Sequence, residues 1–159
     1  AGIIAWSVFQ FIDGNIGNGI SLILLSMVVV LLIFRNEFIL ISFLHLRRNK
    51  LDKAGKTLSN IKFPESLIKS QEAYYYYLNG LVNSQTNLKE AARLFKKALA
   101  KGLKGKQDRA VAKLNLATSA AMRRRKREAT MLLKEAQDLD NHGLLEDQIK
   151  MMKQQFKRI

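Results

Sequence analysis

Residues 110 to 141 read AVAKLNLATSAAMRRRKREATMLLKEAQDLDN, and the fold of the chain turns on how they are parsed. Alanine and leucine recur at three- and four-residue steps on both sides of the basic run, the spacing that lines one face of a helix. The pattern predicts one helix from about Asp108 to Met122 and a second from about Arg127 to Leu139. Between them stand the five consecutive cations RRRKR, Arg123 to Arg127, too polar for a core and placed where a turn is needed.

The same alphabet extends in both directions. Upstream, Asn87 caps LKEAARLFKKALAKG, in which Leu88, Ala91, Ala92, Phe95, Ala98 and Leu99 share a face and Lys101 with Gly102 closes the helix. Pro64 followed by Glu65 is a helix-start signal, because proline's missing amide is not needed in the first turn. One long helix is therefore expected from Glu65 to about Ser84, with Gly80 as the only breaker. Downstream, Leu145, Ile149, Met152 and Phe156 mark a last helix from about Leu144 to Ile159. No strand pattern occurs in this part, so the fold class is all-α, helix on helix with short connections, as a bundle or a stack of hairpins.

Periodicity decides between these two. Asn115, Leu116 and Ala117 stand as the N-L-G step of a tetratricopeptide repeat, Ala120 takes its aromatic position, and Ala129, Leu133 and Ala136 match the small, large and small positions of its second helix. QDLDN resembles the usual ending, with Asn141 where proline is commoner. Residues 73 to 102 resemble a looser copy, with Tyr76 at the first aromatic position, Gly80 at the glycine, and Ala91, Phe95 and Ala98 in the second helix. The resemblance covers about half the chain. It implies a stack of helical hairpins with the last helix as a cap, and KLDKAGKTLSNI as a half-repeat helix upstream. In that register Tyr74, Tyr77, Leu81, Val111, Leu114, Asn115 and Thr118 line an inner, partner-binding face, while Tyr76 packs between helices. Relatives that grip a terminal carboxylate use Lys and Asn on that face; here only Asn115 resembles them, so no carboxylate clamp is implied.

The amino-terminal part has another composition. From Ala1 to Leu46 only Asp13, Arg35 and Glu37 are charged, whereas the remaining residues hold 26 Lys/Arg against 11 Asp/Glu, a net charge of +15. Ala1 to Ile12 is too short to span a bilayer and is expected to be the end of a first span. DGNIGNG, residues 13 to 19, reads as a turn, and a second span begins at about Ile20. That makes residues 1 to 46 a transmembrane helical hairpin, 47 to 63 a juxtamembrane basic segment and 64 to 159 the helical-repeat domain. If the bilayer ends near Phe34, Arg35, Glu37, Arg47 and Arg48 are membrane-interface residues. The alternative places Arg35 and Glu37 within the bilayer at about 2.5 to 3.5 kcal/mol each on insertion scales, and nothing acidic in the apolar part pairs with Arg35. The cluster from Arg47 to Lys56 puts the soluble part in the cytoplasm by the positive-inside rule, so the chain is expected to be a multi-pass protein of the bacterial inner membrane. A cleavable signal peptide is not expected, since no basic segment precedes the first apolar run.

Catalysis finds no support. His45 lies in the apolar stretch and His142 in a turn beside Gly143, neither with partners at ligand spacing, and the chain has no cysteine. The serines lack a His/Asp constellation, and GLKGKQ, residues 102 to 107, lacks the spacing and the Ser/Thr of a phosphate loop. No cofactor, metal or small-molecule substrate is expected. The expected function is a non-enzymatic scaffold or accessory subunit that holds partner proteins at the cytoplasmic face of the membrane. The alternatives are a membrane tether for nucleic acid or ribosome through the basic surface, and a channel or transporter subunit. That surface comprises one group with Lys89, Arg93, Lys96, Lys97, Lys101, Lys104, Lys106 and Arg109, and another of Arg123, Arg124, Arg125, Lys126 and Arg127. It suits a solvated face, an anionic lipid surface, or nucleic-acid phosphates.

Overall fold

Three helix ends in this chain close in the same way, and together they set the path of the backbone. The computed structural model describes residues 37–158. α1 (Glu37–Arg47) ends at Asn49, whose φ of 55° lets the Lys50 amide reach back to the His45 carbonyl at 2.9 Å. α4 (Leu88–Ala100) ends at Gly102, φ 85°, with the Leu103 amide 3.2 Å from the Ala98 carbonyl. α5 (Lys106–Met122) ends at Arg124, φ 58°, with the Arg125 amide 3.0 Å from the Ala120 carbonyl. Each is the left-handed closure that satisfies terminal carbonyls and turns the chain back, with glycine at only one of the three left-handed positions.

Between these ends lie α2 (Leu51–Ser59), α3 (Lys69–Asn83), α6 (Lys126–Leu139) and α7 (Glu146–Arg158). The described residues are all-α: seven α-helices, one 3-10 turn at Pro64–Ser66 and no strand. The expected single helix from Glu65 is divided. Proline starts only the 3-10 turn, Leu67 and Ile68 are extended (ψ 153° and 139°), and α3 begins after them. Within residues 47 to 63, α2 packs on α3, and both belong to a compact unit that runs Phe38–Ile159.

Successive helices fold back on one another, so α3 packs on α4, α4 on α5 and α5 on α6, while α3 also touches α5. Two apolar cores result. The first gathers Leu58, Tyr76, Tyr77, Leu78, Leu94, Phe95 and Leu116; the second gathers Leu114, Ala117, Ala129, Leu133, Ile149 and Phe156. α5 serves both, giving Ala112 and Leu116 to one and Ala110, Leu114, Ala117 and Ala120 to the other. Its alanines allow that double burial, because a small side chain lets a neighbouring helix approach on each side. Phe95, Leu58, Leu78 and Leu133 are fully buried, each worth about 1.5 to 3 kcal/mol of apolar transfer.

Among the described residues no helix is long and apolar enough to cross a membrane. This corrects the localisation read from the sequence, a multi-pass inner-membrane protein with a cytoplasmic domain. The longest described helix, α5, has 17 residues and carries Lys106, Asp108, Arg109 and Lys113. The apolar stretch around Phe38 to Leu46 forms α1, whose 11 described residues end at the Asn49 turn. α1 buries Ile39 and Ser42, and the Ser42 hydroxyl lies 2.6 Å from the Phe38 carbonyl and 3.4 Å from that of Ala54 in α2. Glu37, Arg47 and Arg48 are exposed at the two ends of α1. The spans, the turn at 13 to 19 and Arg35 lie outside the described residues.

Candidate partner-binding face and basic groove

The inner-face residues divide by depth. Tyr77 is 5 % exposed and Leu114 6 %, so both are core side chains rather than groove walls. Tyr77 packs on Phe95 at 6.1 Å between ring centroids and hydrogen-bonds across to Asp108 in the first turn of α5. Burial pushes the Asp108 carboxyl up, an effect the Tyr77 hydrogen bond partly offsets. The Tyr77 hydroxyl is raised far above the ordinary tyrosine range, chiefly by burial and then by the Asp108 charge. Thr118 points to the carboxy-terminal helix, its hydroxyl 3.5 Å from the Met152 sulfur, and Leu114 shares a core with Ile149 and Phe156. α7 therefore covers this end of the face.

Tyr74, Leu81, Val111 and Asn115 remain half-buried on the adjacent helices α3 and α5. The Asn115 amide donates to the Val111 carbonyl at 2.9 Å, which leaves its side-chain oxygen available to a partner. Tyr74 stacks obliquely on Tyr77 at 5.6 Å and faces Phe43 of α1 at 6.3 Å, so α1 borders the other end of the stripe. The remaining two tyrosines do different work. Tyr76 is buried under the Lys97 ammonium, 4.1 Å from the ring centroid, and Tyr75 meets its edge at 5.4 Å.

One feature of this region has no local sequence signal. Lys101, at the end of α4, pairs at 2.8 Å with Glu72, a carboxylate buried in the first turn of α3. The contact holds the Lys101 ammonium above its usual range. The Tyr77–Asp108 bridge is likewise a tertiary pairing, since Asp108 in sequence reads only as an acid favourable to a helix start.

The two basic groups meet in space. RRRKR forms the α5–α6 turn: Arg123 follows α5, Arg124 takes the left-handed position, Arg125 precedes α6 and Lys126 opens it. Arg125 lies 3.4 Å from Glu128, and Lys96 of α4 lies 3.9 Å from the same carboxylate. Beside them runs a groove of about 490 Å³ lined by Asn87, Lys89, Glu90, Ala92, Arg93, Lys96 and Arg123. Arg93 forks onto Glu90 at 2.6 and 2.9 Å. Lys104 belongs instead to the α4–α5 connection and Lys106 and Arg109 to the first turn of α5, and none of the three lines this groove. No family model, curated protein or solved structure matches the chain.

Proposed function

We propose that this chain is a non-enzymatic helical scaffold of the tetratricopeptide type, binding an extended segment of a partner protein along α3 and α5. The observation that carries the reading is the half-buried stripe of Tyr74, Leu81, Val111 and Asn115 on two adjacent first helices of successive hairpins. Such a stripe offers apolar contact and one amide for backbone recognition, the combination a peptide groove requires. Tight hairpins keep it rigid: a Cβ on Gly80 of α3 would come within 2.7 Å of the Phe95 ring of α4, so the two helices touch where the repeat pattern places its glycine. A rigid face loses little entropy on binding. No cofactor, metal or small-molecule substrate takes part in this function.

The test introduces a photo-crosslinking amino acid into the full chain at Asn115 on the stripe, or at exposed Thr130 on α6. Protein adducts formed from position 115, absent from position 130 and lost when Leu81→Glu and Val111→Glu are added, support the scaffold. Adducts that survive those substitutions, or the same adducts from both positions, overturn it. Tyr77 is unsuitable for such a test because its replacement would empty the core.

A further inference from the structure

We infer that the groove between α4 and the α5–α6 turn binds the phosphate backbone of a nucleic-acid strand without regard to base sequence. Lys89, Arg93 and Lys96 follow one another at four and three residues along α4, which places them on one face, spread over about 10 Å of helix. Arg123 comes from a different helix end and lines the same groove, so cations come to it from two elements. Beyond it Arg124, Lys126 and Arg127 are exposed and have no ion-pair partner among the described residues, and the same holds for Lys89 inside the groove. Two acids compete. Glu90 holds Arg93 and Glu128 holds Arg125 and more distantly Lys96, but these pairs are at the surface and exchange readily for phosphate.

The shape argues for a strand rather than a bilayer. A flat lipid surface meets the rim of a concave groove, whereas a single strand with a phosphate at every nucleotide can lie within it. No aromatic side chain lines the groove. Base stacking therefore contributes nothing there, and contacts to the backbone alone carry no sequence information. With about four phosphates neutralised on a single strand, affinity should fall about fifty-fold between about 50 and 200 mM salt.

The experiment follows the fluorescence anisotropy of a labelled oligouridylate with the full chain across a salt series. The groove variant combines Lys89→Gln, Arg93→Gln, Lys96→Gln and Arg123→Gln. The control removes the same charge elsewhere, with Lys53→Gln, Lys56→Gln, Lys62→Gln and Lys134→Gln. Expected are a loss of about tenfold or more at low salt and a flattened salt dependence for the groove variant, with less than about threefold loss for the control. Oligocytidylate should bind as oligouridylate does. Equal weakening by both variants, no binding by the unaltered chain, or binding only to vesicles containing phosphatidylserine overturns the inference. If the groove variant loses its helical circular dichroism, Arg123→Glu alone replaces it. An affinity unchanged by that single substitution then also overturns it.

Discussion

Replacing Gly80 by alanine inverts the usual effect of this substitution in a helix. In an exposed helix interior the change stabilises by about 1 kcal/mol, because alanine is the better helix former. At Gly80 the added methyl would lie 2.7, 2.9 and 3.0 Å from three carbons of the Phe95 ring. That ring is fully buried and braced by Tyr77 at 6.1 Å, so it has no free direction in which to retreat. Overpacking of a dense core costs about 1 to 3 kcal/mol, which outweighs the propensity gain and leaves a net loss of about 1 kcal/mol. For a unit of this size that lowers the melting temperature by about 4 °C, measured by circular dichroism. Shrinking the ring supplies the control. Phe95→Leu alone destabilises, but in the Gly80→Ala background its cost falls, giving a coupling of about 1 kcal/mol or more in a double-mutant cycle. A Gly80→Ala variant as stable as the parent, or additive effects in the cycle, would refute the close approach of α3 and α4.

Three further outcomes follow from particular contacts. Asp108 has its folded pKa raised above the ordinary 3.8, so its stabilising contribution is complete below that value and is lost as pH rises through the folded value. Asp108→Asn should therefore gain stability relative to the parent as pH increases across that window, as read by urea midpoints; a constant difference would contradict the desolvation of Asp108 against α3. Asp140 accepts the Leu144 and Leu145 amides at 3.2 and 2.7 Å ahead of α7, so Asp140→Ala should speed hydrogen exchange in α7 while leaving α3 and α4 protected. Arg124→Gly should hold or raise the melting temperature, because glycine adopts φ 58° without the cost of about 1 kcal/mol that a side chain carries there, and a marked drop would mean the arginine makes a structural contact.

The part of this fold legible in the sequence is the part set by short-range physics. Helical spacing in residues 88 to 99 and 110 to 139, the Asn87 cap and the Gly102 closure are properties of neighbouring residues, and the structure places α4, α5 and α6 within two residues of the expected ends. Where local signals compete, neighbouring residues do not settle the backbone. Proline and acid at residues 64 and 65 start a turn, but nothing nearby reveals that Leu67 and Ile68 stay extended and delay α3 to Lys69. α1 shows the same limit, because an apolar run by itself does not say whether it meets lipid or a neighbouring helix.

What only the tertiary structure decided is which face of each helix is spent in the core. Tyr77 and Leu114 fit the inner-face spacing as well as Leu81 and Asn115 do, yet Phe95 and the carboxy-terminal helix cover them. Lys89, Arg93 and Lys96 lie some thirty residues from Arg123 in sequence, and the packing of α4 on α5 brings them to one groove. Composition and periodicity determined that the described chain is helical and that its cations stay at the surface. Burial depends on which helices meet, and that follows from the small residues at Gly80, Ala117 and Ala129 and the turns at Asn49, Gly102 and Arg124 acting together, which no single stretch contains.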